Sequence, residues 1–464
     1  MKPEDFKGKK VTVMGLGLNS GGIGTVRFFH ALGARLVVTD MKSKEELAPS
    51  LLALKDLRGI EYVLGQHRSE DFTHTDLVVK TPGVAWNNKY IELALKKNIP
   101  VEVDASLFFK FCKNPIIGIT GTKGKTTTST LIYEILKAAG KNPVKAGIGQ
   151  VSVMDKLKEI KKDSWVVFEL SSWRLSALGR YGISPQGAVL TNIYPDHLNY
   201  YSGMESYIKD KKFIFSSQKP EDFCVINWDD KVLNKFEPEI KSKIIRFSRQ
   251  KIENSKAVYL VNDAAYWNDG VDEKKIIEAS DVKLRGGHNL ENVMAAVGAA
   301  CAMGIELKII AKALREFKGL QHRLEFIREI NGVKYYNDTA ATTPESAIFG
   351  IRSFAEPLIL IGGGTDKKLD ITGLAETINQ KAKGIIFLKG SATEKLIEKI
   401  RKITGRENED FRVVESMTKA VEIASNEASS GDVVLLSPGA TSFGMFQNEF
   451  DRGNQFKEAV NNLK

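Results

Sequence analysis

The stretch from Ile116 to Thr130 reads I-I-G-I-T-G-T-K-G-K-T-T-T-S-T and constrains the fold more than any other part of the chain. A short apolar run, typical of a buried parallel strand, breaks into a turn of glycine, threonine and lysine. The apolar residues that follow recur at helical spacing, at Leu131, Ile132, Ile135 and Leu136. Strand, turn and helix in this order predict an α/β fold in which the turn binds phosphate groups at the beginning of the helix.

The residue types in the turn suit a nucleotide triphosphate. Gly121 and Gly124 allow the backbone N–H groups to point at an anion, Lys125 supplies a positive charge for the β- and γ-phosphates, and the Thr126 hydroxyl can bind Mg²⁺. The strict P-loop spacing is not met, because Ile119 occupies the position of its first glycine, and a glycine-rich turn without a ligand is the alternative. We interpret the turn as an ATP site formed by Gly121, Thr122, Lys123, Gly124, Lys125, Thr126 and Thr127.

The composition limits the classes of protein to which the chain can belong. Its 464 residues are enough for about three domains of ~150 residues each. Hydrophobic residues make up 42% and charged residues 27%, which is ordinary for a globular protein. The net charge of +10 suits acidic small substrates, although a solvated lysine-rich surface is the simpler explanation. Nucleic acid is not an expected partner, because no basic stripe alternates with aromatic residues.

Cysteine use and hydropathy indicate a cytoplasmic protein. Cys112, Cys224 and Cys301 lie far apart in the sequence, with neither a metal-binding spacing nor a disulfide framework. The residues from Met1 to Lys10 are charged, and no apolar run reaches ~18 residues. We therefore expect neither secretion nor a membrane-spanning segment, and no membrane partner.

The first hundred residues have the pattern of a nucleotide-binding βαβ unit. A strand from Val11 to Met14 leads into G-L-G-L-N-S-G-G-I-G, then a helix, then a second strand that ends in Asp40. An acid about 20 residues after the glycines can bind a ribose or a base. A later strand, L-V-V-K, runs into Thr81-Pro82-Gly83, and Gly83 lets the backbone approach a ligand. The signal is not specific, because many nucleotides bind to such units.

Two predicted strands after the phosphate loop end beside candidate metal ligands. The strand from Trp165 to Leu170 contains Glu169 near its carboxyl end, where ligands gather in open α/β sheets. Glu169 can bind Mg²⁺ there, or it can pair with a lysine. His197 follows the next predicted strand, and a metal site and ordinary packing are equally good explanations for it.

The rest of the chain is predicted to complete a second domain and to form a third. Lysines in Y-I-K-D-K-K, from Tyr207 to Lys212, usually indicate a solvated helix face. Residues 220–284 have short strand-like pieces and surface turns, with little readable chemistry. Asn289 and Asn292 lie on one face of an alanine-rich helix. Strands alternate with helices after residue 319, as in a parallel sheet. We predict domains at residues 1–110, 111–319 and 320–464.

Together the motifs resemble the Mur ligase family, the ATP-dependent amide-forming enzymes of peptidoglycan precursor assembly. The resemblance rests on motifs that occur in one order over almost the whole chain: G-T-K-G-K-T-T, E-L-S-S-W, T-N-I-Y-P-D-H-L-N, Y-I-K-D-K-K, H-N-L-E-N and H-R-L-E. It implies three domains: a Rossmann-like N-terminal domain for a UDP-sugar, a central P-loop-type mononucleotide-binding parallel-sheet ATPase, and a Rossmann-like C-terminal domain for the incoming amino acid.

Within the family, the sequence is most similar to the branch that adds D-glutamate to UDP-N-acetylmuramoyl-L-alanine through an acyl phosphate. The similarity lies in G-L-G-L, in T-P-G and in S-P-G-A-T-S-F-G-M-F followed by D-R-G, at Ser437 to Gly453. We expect a cytoplasmic monomer that uses ATP and Mg²⁺. The alternatives are a sister ligase for a different amino acid, an NAD-dependent oxidoreductase that uses the glycines before Asp40, and a nucleotide-binding scaffold without turnover.

The resemblance also implies roles for individual residues. Lys125, His197, Lys211 and Arg323 are the expected catalytic residues. Mg²⁺ ligands are expected at Thr126 and Glu169, and at a second site made by His197 and a carbamylated Lys211. ATP contacts are expected from the phosphate loop and from Asn289, Asn292, Arg323 and Asp338. The UDP-sugar is expected to meet Gly17, Leu18, Asn19, Asp40, Thr81 and Gly83, and the acceptor amino acid Lys367 and Ser442.

Some positions depart from the family pattern. Ala146-Gly147 replaces a Gly-Asn pair after the phosphate-loop helix, and Ala340 stands where a lysine is common. Glu449 stands where an aromatic residue is common near the acceptor, and its charge would oppose an anionic substrate unless its side chain turns away. These departures bear on the identity of the acceptor amino acid. The first glycine loop also carries the extra residues Ser20 to Gly22.

Overall fold

The structure, a computed structural model, describes residues 2–149, 151–196, 200–404 and 411–463. The predicted metal ligand His197 lies outside these residues. The chain forms two compact units, here called the first unit (Met1–Val282 with Glu291–Glu316) and the second unit (Lys283–Leu290 with Phe317–Lys464). The first unit contains two β-sheets and the second unit one, and helices alternate with strands in all three parts, as predicted for an α/β protein.

The N-terminal sheet has five strands, β1 Lys10–Met14, β2 Arg35–Asp40, β3 Ile60–Leu64, β4 Leu77–Lys80 and β5 Val101–Glu102. Their order is β3-β2-β1-β4-β5 and every neighbouring pair is parallel. The strand order reverses between β1 and β4, so that the turns after these two strands open into one crevice. The accompanying helices are α1 Ser20–Ala31, α2 Ala48–Leu52, α3 Glu70–Thr73, α4 Lys89–Lys96 and α5 Asp104–Phe111.

The central sheet has nine strands, and part of it is parallel as predicted. The parallel strands are β6 Ile116–Thr120, β7 Val144–Ala146, β8 Val166–Glu169, β9 Gly187–Leu190, β10 Phe223–Asn227, β11 Lys243–Ser248 and β12 Lys256–Val261. The order is β14-β13-β12-β11-β10-β9-β6-β8-β7, which brings the predicted phosphate-loop strand β6 between β8 and β9.

The sheet continues beyond β12 with two strands, β13 Ala264–Asp269 and β14 Glu273–Glu278, whose antiparallel pairing the sequence analysis did not anticipate. The reason is local. Asn262 and Asp263 join β12 to β13 as a two-residue turn in which both residues have positive φ, +47° and +58°. Such a turn matches the twist of a hairpin and returns the chain antiparallel to itself.

Helices accompany the strands of the central sheet. They are α6 Lys125–Ala138, α7 Val153–Lys156, α8 Ser172–Arg180, α9 Met204–Lys212, α10 Gly287–Ala302, which begins in residues of the second unit, and α11 Leu307–Glu316. Of these, α7, α8 and α9 pack on a core that this sheet shares with the N-terminal sheet. One cluster of buried apolar side chains runs from Val11 and Phe29 of the N-terminal part to Phe168 and Leu190 of the central part. The two sheets of the first unit are therefore packed through a continuous apolar core.

The second unit is built on a six-stranded sheet with the order β15-β16-β20-β17-β18-β19. Its strands are β15 Glu325–Ile330, β16 Val333–Asn337, β17 Leu358–Gly363, β18 Ala382–Leu388, β19 Arg412–Val414 and β20 Val433–Leu436. The edge strand β15 is antiparallel to β16, and the other pairs are parallel. The helices are α12 Pro344–Arg352, α13 Thr372–Lys381, α14 Ser391–Thr404, α15 Met417–Glu427 and α16 Glu449–Asn461. Throughout the described part of the chain, every helix is too short or too polar to traverse a bilayer.

Candidate active site

The phosphate loop follows the buried strand β6, and helix α6 begins directly after it at Lys125. Gly121 and Gly124 have φ values of +153° and +85°, which residues other than glycine rarely adopt. A Cβ atom at Gly121 would lie 1.9 Å from Thr191 Oγ1, and one at Gly124 would lie 2.2 Å from Asn292 Oδ1. Both glycines are therefore required by conformation and by close packing, as predicted for a loop that wraps around an anion.

Residues after strand β9 hold the loop in place. The Thr122 N–H donates to the Asn192 carbonyl at 2.9 Å, and the Lys123 N–H donates to Asn192 Oδ1 at 2.8 Å. The Lys125 amine folds back over the loop and donates to the carbonyls of Gly121 and Thr122 at 2.9 and 3.0 Å. The amine therefore lies beside the loop backbone that would also contact a bound phosphate group.

The candidate Mg²⁺ ligands Thr126 and Glu169 are in contact. Thr126 Oγ1 donates to Glu169 Oε2 at 2.9 Å, because β6 and β8 are parallel neighbours with Ile119 opposite Glu169. A hydroxyl and a carboxylate oxygen are the hard donors that Mg²⁺ prefers, so the pair fits this ion. Among the described residues no group of three or more His, Cys, Asp or Glu side chains has the arrangement of a metal site.

Lys211 is buried on helix α9, with 2% of its surface exposed, and the alternative of a solvated helix face does not hold for it. Its amine donates to Thr120 Oγ1 at 3.4 Å and lies 4.7 Å from the centre of the Tyr207 ring. Burial lowers the pKa of the Lys211 amine well below its usual value, the charge of Lys125 lowers it further, and Asp196 opposes the shift. The shift favours the neutral form of this amine at the carboxyl end of β6.

The two asparagines of α10 are both buried, and each has a hydrogen bond. Asn292 Oδ1 accepts from Thr128 Oγ1 at 3.3 Å, which ties the helix to the first turn of α6. Asn289 Nδ2 donates to the Arg285 carbonyl at 2.7 Å. In the first unit, the structure therefore brings Asn292 to the phosphate loop.

At the N-terminal sheet, Asp40 fixes the glycine turn after β1. Its Oδ2 atom accepts from the Gly17 N–H at 2.9 Å, and its Oδ1 atom accepts from the Lys42 N–H at 2.9 Å. Ser50, which the sequence analysis missed, donates to the Gly17 carbonyl at 2.6 Å. Thr81, at the end of β4, lies so close to Gly15 that a Cβ atom there would be 2.7 Å from Thr81 Oγ1. The turns after β1 and β4 thus meet at the crevice where the strand order reverses.

The remaining N-terminal candidates border the same crevice. Leu18 is 55% exposed, which is high for a leucine beside a structured turn. Asn19 directly precedes α1, and the extra residues Ser20 to Gly22 form the first turn of that helix. A Cβ atom at Gly83 would meet no other atom within 4 Å, so the space beside its backbone is open.

In the second unit, Arg323 is exposed and is flanked by two residues in strained backbone conformations. His322 has φ +67° and Leu324 has φ +43°, values that cost energy for residues with a side chain. Asp338 is buried nearby and accepts from Ser437 Oγ at 2.8 Å and from the Leu324 N–H at 3.2 Å. Burial raises the pKa of Asp338 to about 7, although Ser437, Leu324 and the charge of Arg323 all lower it.

The candidate acceptor residues lie on the loops after β17 and β20. Lys367 Nζ donates to Thr342 Oγ1 at 3.3 Å, and Lys367 lines a surface pocket together with Thr365. Ser442 is buried on the facing loop, whose residue Thr441 forms a bridge with Thr365. The structure thus brings both predicted acceptor residues to one edge of the sheet.

Sequence reasoning gave no role to Arg452, although it quoted the D-R-G motif. Arg452 is fully buried and donates to Thr339 Oγ1, to the Thr339 carbonyl and to the Ala440 carbonyl, at 2.9, 3.0 and 3.2 Å. Burial lowers its pKa to about 10, and the charge of Glu449 opposes this shift. Arg452 therefore ties the loop after Asp338 to the loop of Ser442, and Glu449 has a nearby positive charge.

Comparison with known proteins settles the family. Three family models match the chain in sequence order: the Mur ligase MurD-like N-terminal domain over residues 9–102, the Mur ligase middle domain over 119–300, and the Mur ligase glutamate ligase domain over 322–439. UDP-N-acetylmuramoylalanine--D-glutamate ligase from Roseiflexus sp. (strain RS-1) is 39% identical over 98% of each chain. The enzyme of that name from Clostridioides difficile (strain 630) is 40% identical over 99% of this chain and 100% of its own. The chain belongs to the Mur ligase family.

Solved Mur ligases share this fold. UDP-N-acetylmuramate-alanine ligase MurC from Thermotoga maritima has a TM-score of 0.60 at 19% identity, over 98% of this chain and 100% of its own. MurF ligase from the same organism, solved in complex with ADP, has a TM-score of 0.59 at 17% identity, over 99% of this chain and 96% of its own. The full-length match to Mur ligases also argues against the NAD-dependent oxidoreductase that the N-terminal glycines alone would allow.

We expect Gly124→Ala to weaken ATP binding roughly tenfold or more. Gly124 directly precedes α6, and the added methyl group would collide there with the side chain of Asn292. Gly140→Ala is the matched control: Gly140 also has a positive φ, +71°, but a Cβ atom there meets nothing within 4 Å. The dissociation constant for ATP, measured by calorimetry, should rise in the first variant and stay unchanged in the second. Equal affinities in both variants would contradict the role of the close approach at Gly124.

We expect the buried Asp338 to make stability depend on pH. A carboxyl group whose pKa is raised on folding binds its proton more tightly in the folded state, so its contribution to stability falls as pH rises from its unfolded pKa to about 7. Between about pH 4 and pH 8 the wild type should lose up to about 4 kcal/mol relative to Asp338→Asn. Denaturation curves of the two proteins at each pH measure this difference, and parallel pH profiles would refute it.

Proposed function

We propose that this Mur ligase joins D-glutamate to UDP-N-acetylmuramoyl-L-alanine at the expense of ATP, in the synthesis of peptidoglycan precursors. The observation that carries the proposal is the phosphate loop with Lys125 above it and the Thr126–Glu169 pair beside it, in a chain whose full-length relatives bear the name of this ligase. Such a site can bind a nucleotide triphosphate and offer its terminal phosphoryl group to an acid.

The reaction needs ATP because a carboxylate is a poor electrophile. A carboxylate oxygen of the alanine residue attacks the γ-phosphorus, ADP leaves, and an acyl phosphate forms. The amine of D-glutamate then attacks the acyl carbon, and phosphate leaves from the tetrahedral intermediate with the carboxylate oxygen. The protein has to neutralise the phosphate charge and hold the reacting groups in line, which is what a fixed loop of N–H groups and a lysine can do.

The central residues would divide this work. Lys125 and the loop N–H groups would hold the β- and γ-phosphates, and Asn289 and Asn292 would contact the adenine side. Thr126 and Glu169 would hold Mg²⁺, which supplies positive charge against the phosphates when it is bound. The half-buried hydroxyl–carboxylate pair at 2.9 Å supports this assignment.

Lys211 has the properties that carbamylation requires. A neutral lysine amine attacks carbon dioxide, loses a proton and becomes an anionic carbamate, whose oxygens can bind a hard cation. The burial of Lys211 and its lowered pKa favour the neutral amine. We propose that carbamylated Lys211 and His197 form the second Mg²⁺ site.

The outer residues would select and present the two other substrates. We propose that Gly17, Leu18, Asn19, Asp40, Thr81 and Gly83 contact the UDP-sugar, which the shared crevice after β1 and β4 supports. Lys367 and Ser442 would grip the carboxylates of the acceptor. Arg323 would contact the ATP phosphates, and Asp338 the ribose or base. We further propose domains at 1–110, 111–319 and 320–464 and a cytoplasmic monomer.

We expect the purified protein to release phosphate from ATP and Mg²⁺ when it receives both UDP-N-acetylmuramoyl-L-alanine and D-glutamate. L-glutamate, L-alanine, L-lysine and meso-diaminopimelate serve as parallel acceptors, because Ala340 and Glu449 depart from the family pattern at the acceptor site. Preferential release with one of these other acceptors would instead assign the chain to a sister activity. Phosphate release that needs no acceptor would refute the ligase reaction.

We expect Lys211→Ala to abolish turnover and to leave the dissociation constant for ATP within about twofold of the wild type. The substitution removes the buried amine but none of the loop N–H groups that would hold the phosphates. Lys209→Ala is the matched control, since Lys209 lies on the same helix and is exposed. Near-normal turnover of Lys211→Ala would rule out a carbamate at this position.

A further inference from the structure

The loop between β4 and α4 carries a feature that the assignments above leave unused. Thr81 and Gly83, the proposed UDP-sugar contacts, lie at its beginning, and Trp86 lies near its end. Trp86 Nε1 donates to Ser176 Oγ on helix α8 at 3.0 Å. Ser176 Oγ in turn donates to the Trp173 carbonyl at 2.8 Å, so the contact continues into the backbone of α8.

Helix α8 connects this contact to the candidate metal site. The helix begins at Ser172, shortly after Glu169 at the end of β8, and Ser171 caps it by accepting from the Arg174 N–H at 3.3 Å. Trp86 therefore fastens the UDP-sugar loop to the element that directly follows a proposed Mg²⁺ ligand. Both ends of this connection lie in the first unit.

An amine and a guanidinium group lie over the indole ring. Lys80 Nζ lies 4.3 Å from the ring centre, and the Arg180 guanidinium carbon lies 4.1 Å from it. Lys80, which is 1% exposed, also donates to the Val84 carbonyl at 2.7 Å, and the Val84 N–H donates to the Thr81 carbonyl at 3.1 Å. The same lysine thus contacts the ring and closes the turn that bears Thr81 and Gly83.

Packing reinforces the hydrogen bonds. Trp86 is packed against the main core of the first unit and also against the smaller core on the other side of the N-terminal sheet, which contains Met14, Phe72 and Val78. A side chain that contacts two cores, the Lys80 amine, the Arg180 guanidinium and a hydroxyl on a second element has little freedom to reorient.

We propose that Trp86 is a positioning residue for the UDP-sugar substrate, because it anchors the loop of Thr81 and Gly83 to helix α8 beside Glu169. This inference rests on the proposed function. The anchor sets the distance between the bound sugar nucleotide and the phosphate loop. This distance determines whether the substrate carboxylate can reach the γ-phosphorus of ATP. Displacing a reactant by about 1 Å can cost two orders of magnitude in rate.

Substituting the anchor should affect one substrate and spare the others. We expect Trp86→Leu to raise the dissociation constant and the KM for UDP-N-acetylmuramoyl-L-alanine by about tenfold and to lower kcat, with the KM values for ATP and D-glutamate within about twofold of the wild type. Ser176→Ala, which removes the acceptor of the indole N–H, should raise the same KM by about two- to fivefold. Trp267→Leu, in the antiparallel hairpin at β13, is the matched control and should change none of these values.

The experiment measures binding by calorimetry and turnover by phosphate release, with melting temperature as the control for folding. A folded Trp86→Leu protein with a KM for the UDP-sugar within about twofold of the wild type would overturn the proposal. So would equal rises in all three KM values together with a lowered melting temperature, because that is the result of general destabilisation. If Trp86→Leu does not fold, Trp86→Phe and Ser176→Ala decide the question by the same criteria.

Binding separates this inference from the proposed function. A wild-type protein that binds UDP-N-acetylmuramoyl-L-alanine but releases no phosphate with any acceptor would refute the ligase proposal, while the variants would still test the anchor through their dissociation constants. A wild-type protein that does not bind this nucleotide would refute the anchor as well.

Discussion

The parallel pairing of β6 with its neighbours is the constraint on which the rest of the central site depends. Ile119 lies opposite Glu169 in β8, and Thr120 lies opposite Leu190 in β9. This register brings a phosphate loop, a carboxylate and the loop-bracing Asn192 to one edge of the sheet. A slip of one residue would turn the buried side chains of β6 to the opposite face and separate these groups.

Burial shifts the pKa of Lys211 at this edge of the sheet and of Asp338 in the second unit. Lys211 is buried, and burial makes an ammonium ion costly, so the neutral amine that can react with carbon dioxide is favoured. Asp338 is protonated more readily than an exposed acid for the same reason, even though it accepts two hydrogen bonds. In each case burial removes solvation from the charged form of a group at a fixed position and moves its pKa toward the neutral form.

Much of this arrangement could be predicted from local sequence, because strand-loop-helix transitions and acids at strand ends are local patterns. The strand β6, the helix α6 and the position of Glu169 were predicted correctly. Contacts between distant residues could not be predicted. The anchoring of Gly17 by Asp40 and the bonds of Arg452 to the loops of Thr339 and Ala440 depend on how elements pack, and no spacing in the sequence encodes them.

The transfer of an oxygen atom tests most directly whether the bound nucleotide activates the acid. UDP-N-acetylmuramoyl-L-alanine labelled with a heavy oxygen isotope in its carboxylate would be incubated with ATP, Mg²⁺, D-glutamate and the protein, and the released phosphate analysed by mass spectrometry. An acyl phosphate predicts one labelled oxygen in each phosphate released. Phosphate that contains no label, with amide product formed, would contradict the account.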